Sequence, residues 1–200
     1  MAMPLSHIGS FERFSEKLSG LCQEHISSNK AKGFIFIFEN PKTQKLRKSG
    51  IHNSDRACDE LNKIAGSKLT IFYLDGNLGT NSEYASRVDN FNHVFLDKLG
   101  FSEKIDLPCL LFFRIHQQEF SDFEAHTLRW VEMGFVFNDI KNIIQDLADR
   151  VDSEDMDSPV PFASNTKVKV IKGLKHISIE SLKMIVTGVS TTIVGNFWPY

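Results

Sequence analysis

The stretch "KIDLPCLLFFRI", Lys104 to Ile115, sets a proline and a cysteine directly before an unbroken run of apolar and aromatic residues. A short, fully apolar run bounded by charge reads as a strand buried on both faces. Pro108 punctuates the start of that strand. Its neighbour Cys109 has two readings. It is a small core filler, since free cysteines are among the most buried residues, or a thiol placed for reaction or partner contact. The filler is favoured, since a low thiol pKa needs a cationic neighbour.

Upstream, "GFIFIF" (Gly33 to Phe38) and "KLTIFYLDG" are two more strand runs, each closed by turn residues at Asn40-Pro41 and Asp75-Gly76. Between and around them the apolar spacing turns helical. Ile8, Phe11, Phe14, Leu18, Leu21, Cys22 and Ile26 recur at three- and four-residue steps, and Ser10 is a candidate cap. Ala57, Cys58, Leu61, Ile64 and Ala65 share a face, with Gly66 as a stop. Tyr84, Val88, Phe91, Val94, Phe95 and Leu99 form a third helical stripe. Downstream, "QQEFSDFEAHTL" alternates weakly and returns as an antiparallel partner, and the longest helix is expected from about Leu128 to Val151.

The order from Gly33 to Arg150 is strand, helix, strand, helix, strand, strand, helix. That order, with Pro108 directly before the third strand, resembles the thioredoxin-like fold over about 120 residues, counted by elements whose ends are soft to a few residues. The resemblance implies a mixed sheet flanked by helices, an α/β class, and a partner-docking region beside the proline. It also implies a reactive cysteine at the start of the helix after the first strand. Here the loop and helix start read "NPKTQKLRKSGIHNSDRACDE", with no cysteine before Cys58 and no CxxC anywhere. Cys58 falls on the apolar side of its helix, where burial raises a thiol's pKa.

The chain has 200 residues, 42% hydrophobic and 24% charged, which suits a globular protein with a full core. Its 17 phenylalanines against 3 tyrosines and 2 tryptophans predict an aromatic core without polar handles. A net charge of −2 argues against wholesale nucleic-acid binding. Three cysteines at no disulfide or zinc spacing, with no leader-like N-terminus and no apolar run of spanning length, point to the cytoplasm.

No Walker loop, nucleophile elbow or paired-histidine metal motif occurs. His116, Glu124 and His126 share strand parity if they stand on one strand, but an exposed polar hairpin accounts for them as well as a metal would. No cofactor is implied. Three segments are expected: an α/β domain over 1–150 that includes the N-terminal helix, an acidic and proline-broken linker over 151–165, and a C-terminal arm over 166–200. In the arm, "KVKVI" alternates like an edge strand, and Ile179, Leu182, Val186, Val189 and Ile193 lie on one helical stripe.

The function expected is a non-catalytic module that binds another protein or its own copy, with enzyme status open. Candidate contacts are Pro108, the basic cluster Lys42, Lys45, Arg47 and Lys48 after the first strand, and the terminal aromatics Phe197, Trp198 and Tyr200. The alternative is a single-thiol redox or glutathione-handling enzyme using Cys109 or Cys58.

Overall fold

The computed structural model describes residues 6–8, 11–29, 32–40, 55–74, 82–101, 105–116, 119–128, 133–152, 168–173, 176–178, 180–182 and 184–185. In chain order these form β1 (Ser6–Ile8), α1 (Phe11–Ser28), β2 (Gly33–Phe38), α2 (Asp55–Ala65), β3 (Leu69–Leu74) and α3 (Ser82–Lys98). Then come β4 (Cys109–His116), β5 (Glu119–Leu128), α4 (Met133–Arg150), β6 (Val168–Lys172) and β7 (His176–Ser178). The chain is α/β, an open mixed sheet ordered β1-β3-β2-β4-β5-β6, with β7 also paired to β5. β1, β3 and β2 run parallel to one another, and each pairing from β2 through β4 and β5 to β6 is antiparallel.

Alternation along the strands sorts their side chains onto two faces, and both faces are covered. Phe34, Phe36, Phe38, Phe72, Cys109, Leu111 and Phe113 point to one core, where Leu18 and Cys22 of α1 and Val88, Phe91 and Phe95 of α3 join them. Ile35, Ile37, Leu69, Ile71, Leu110 and Phe112 point to the other, against Leu61 and Ala65 of α2 and Ile140, Ile144 and Leu147 of α4. This double cover is why all six residues of "GFIFIF" are buried and why the run shows no polar alternation. The first core is an aromatic layer: Phe36 meets Phe72 at 5.1 Å and Phe113 at 5.3 Å, and Phe113 meets Phe120 at 5.0 Å and Phe123 at 5.1 Å between ring centroids. Those separations fall in the range where ring pairs attract beyond the area they bury.

The weak alternation of "QQEFSDFEAHTL" has a definite cause. The register of β4 on β5 shifts between Phe112 and Arg114. Asp122 there adopts a left-handed backbone with φ of 55°, unusual for a residue with a side chain. The bulge lets Phe120 and Phe123, three positions apart, enter the same core. Arg114 fastens it, its Nε and Nη2 reaching Asp122 Oδ2 at 2.7 and 2.6 Å.

Three expectations are corrected. Ile8 belongs to strand β1 and not to the first helix, because β1 pairs in register with Phe72–Leu74 of β3. Leu128 ends β5 and does not start the long helix; its pairing with Val168 and its amide's bond to the Pro108 carbonyl, 3.1 Å, hold it in the sheet. His116, Glu124 and His126 do not form an exposed polar hairpin on one strand. His116 ends β4 exposed, whereas Glu124 and His126 stand on β5 at 3% and 0% exposure.

The "KVKVI" run is β6, an edge strand on β5 among the described residues. Gly173 continues the contact, its amide donating to the Phe123 carbonyl at 2.9 Å, and β7 then pairs with Glu119–Ser121. Ile177 of β7 and the helical residue Leu182 enter the first core. The acidic linker, apart from Val151 and Asp152, and most of the C-terminal stripe lie outside the described residues.

Candidate functional site

The sheet end at which β2 leaves and β4 enters gathers the described part of the predicted site. The Leu107–Pro108 bond is cis, and Pro108 itself is buried. The last pair of β2 and β4 is Phe38 with Cys109, so the register carried one step on sets Glu39 against Pro108. Glu39 and Asn40 are half-buried at this exit, as is Leu107, and Asp106 is exposed beside it. Asn92 of α3 reaches the exit from below: its Nδ2 donates to the Glu39 carbonyl at 3.0 Å. On the other side the Pro108 carbonyl is taken by β5.

Cys109 sits at this end but faces inward. It is 0% exposed, in the aromatic core, and burial pushes its thiol well above the ordinary thiol value. A nucleophilic cysteine needs the reverse, a pKa lowered by a cation or a helix N-terminus. Cys22 is likewise buried in that core. Cys58 falls in the first turn of α2, and its side chain lies outside the described residues. So do Lys42, Lys45, Arg47, Lys48, Phe197, Trp198 and Tyr200, the remaining predicted contacts. The basic cluster begins two residues beyond Asn40 in sequence.

A second polar constellation is buried on the α2–α4 side of β5. His126 Nε2 lies 3.3 Å from Glu124 Oε2, Arg150 Nη2 lies 3.8 Å from the same oxygen, and Arg150 Nε meets Asp146 Oδ2 at 2.8 Å. These side chains are 0–11% exposed, which demands that the carboxylates and the guanidinium be paired. Sequence reading noticed Glu124 and His126 but not Asp146 and Arg150; the i, i+4 spacing on α4 was the available signal for that half. Among the described residues no group of three or more histidine, cysteine, aspartate or glutamate side chains is placed to hold a metal ion. Among them, too, no helix is long and apolar enough to cross a membrane.

No protein-family model matches the chain. No curated protein and no solved structure matches it either. The site therefore stands on its own geometry. Asn92 is the residue of it that sequence reading missed: it lies between the apolar positions of α3, where a single polar letter carries no periodic signal.

Proposed function

We propose that the chain is a thioredoxin-like scaffold working in the cytoplasm as a protein-binding or assembly module, without thiol chemistry at Cys109. Three features support the thioredoxin-like reading: the strand order, the helices α1 and α3 on one face with α2 and α4 on the other, and a cis-proline ahead of β4. The observation that carries the non-catalytic part is the complete burial of Cys109 beside Pro108. On this scaffold a partner segment docks at the exit of β2, against Glu39, Asn40, Asp106 and Leu107, over the buried Pro108. The basic residues Lys42, Lys45, Arg47 and Lys48 follow that exit in sequence and suit an acidic partner. Phe197, Trp198 and Tyr200 are further contacts in this proposal, as aromatic anchors.

The test places a photo-crosslinking amino acid at exposed Asp106. One defined adduct, with a single other protein or with a second copy, that excess unmodified chain competes away supports the proposal. Absence of any competed adduct at this position overturns it. Alkylation of the folded protein, read by peptide mass spectrometry, decides the enzymatic alternative. A thiol at Cys58 or Cys109 that reacts with a midpoint well below the ordinary value of about 8.5 would restore the single-thiol reading.

A further inference from the structure

Asn92 is a poor residue for its place, judged by stability alone. It lies mid-helix, fully buried, on a face otherwise made by Val88, Phe91, Phe95 and Leu96. Asparagine is a weak helix former, and a buried amide is tolerable only when its hydrogen bonds are made. Here one is shown, on the nitrogen. Nδ2 donates to the Glu39 carbonyl, while Oδ1 is buried and meets no hydrogen-bond partner among the described residues. An apolar side chain of similar size would fill the space and remove the orphaned Oδ1, at the cost of the bond to the part-buried Glu39 carbonyl.

What the amide achieves is local. The Glu39 carbonyl belongs to the first peptide group beyond the last β2–β4 pair, Phe38 with Cys109. There the β2–β4 register reaches Pro108. We infer that Asn92 is a positioning residue for the docking end of the sheet: its carboxamide pins the Glu39–Asn40 peptide so that the chain leaves β2 in one fixed direction. This rests on the proposed docking reading for its purpose, though the pinning itself is measurable without any partner.

The test compares the full chain with its Asn92→Leu variant by three readouts: melting temperature, hydrogen exchange of the Asn40 amide, and yield of the Asp106 crosslink. The expected result is a melting temperature equal to or above that of the parent, with several-fold faster exchange at Asn40 and a several-fold lower crosslink yield. A lowered melting temperature with exchange at Asn40 unchanged makes Asn92 a packing residue and overturns the inference. Loosened Asn40 with undiminished crosslinking overturns it as well, because the pinned geometry would then not matter to docking. Should the parent chain give no competed crosslink, the docking proposal fails, and the exchange and melting data still decide whether Asn92 pins the exit. Asn92→Ala, which only shortens the side chain, carries the same comparison if Asn92→Leu does not fold.

Discussion

Single residues decide more here than their chemistry suggests. A Cβ built on Gly173 would stand 2.7 Å from the Leu99 carbonyl oxygen and 2.8 Å from the Phe101 ring. Backbone cannot yield as a side-chain tip can, so Gly173→Ala should destabilise the fold by about 1–3 kcal/mol, read as a lower urea midpoint at unchanged slope. Cys22 and Cys109 are walled into the aromatic core, and both should resist alkylation until the protein unfolds. Fast labelling of Cys109 under native conditions would show that the sheet end opens. The sequence placed Cys109 next to Pro108 but not its direction. A strand buried on both faces carries no polar alternation from which to read the phase.

At the scale of elements, charge fastens α4 to the sheet at two places. Where α4 ends, Asp152 bridges Lys32 at 2.6 Å and Lys68 at 3.1 Å, and Lys68 also donates to the Ala148 carbonyl at 3.2 Å. The hydrogen bonds from Lys32 and then Lys68 hold the Asp152 carboxyl below its usual value. A depressed carboxylate stabilises the fold fully above its unfolded pKa of about 3.9 and loses that contribution as pH falls through the lower folded value. Asp152→Asn should therefore flatten the acid side of the stability curve, below about pH 4. Because the pair is largely exposed, the effect at neutral pH should stay under about 1 kcal/mol. Urea midpoints measured between acid and neutral pH would show it.

The second fastening is buried and worth more to break than to have. Arg150→Met removes the cation that faces both Asp146 and Glu124. It should cost about 3–5 kcal/mol, since the two carboxylates then remain in the interior without that cation. Thermal denaturation at neutral pH measures it. A small loss would mean that water reaches this cluster.

For the whole molecule, the C-terminal segment is part of the sheet as far as it is described. β6 and β7 together line β5, and Ile177 and Leu182 enter the first core. Deleting residues 166–200 should expose the edge of β5 and leave Phe120 and Phe123 partly uncovered, which invites edge-to-edge aggregation. The expected product is insoluble or lacks near-UV circular dichroism. A well-folded, soluble truncation would mean instead that residues 1–165 carry a core of their own.

Periodicity, turn residues and burial-prone runs in the sequence by themselves determined the α/β class, the order of elements from Gly33 to Arg150, the phenylalanine core and the strand opened by Pro108. These are local signals, written within a dozen residues of where they act. Only the tertiary structure decided the rest. β1 is three residues long, too short for a pattern, and exists by pairing with β3. The bulge at Asp122 turns an irregular stretch into a strand with two phenylalanines on one face, a choice made by the Arg114 pairing and the cores on either side. Glu124 is buried facing Arg150, which arrives from a helix more than twenty residues along the chain. Asn92 acquires its role only because folding brings α3 beneath the end of β2. Contacts between distant segments leave no periodic trace, since each partner's letter is equally at home elsewhere until the fold sets it against the other.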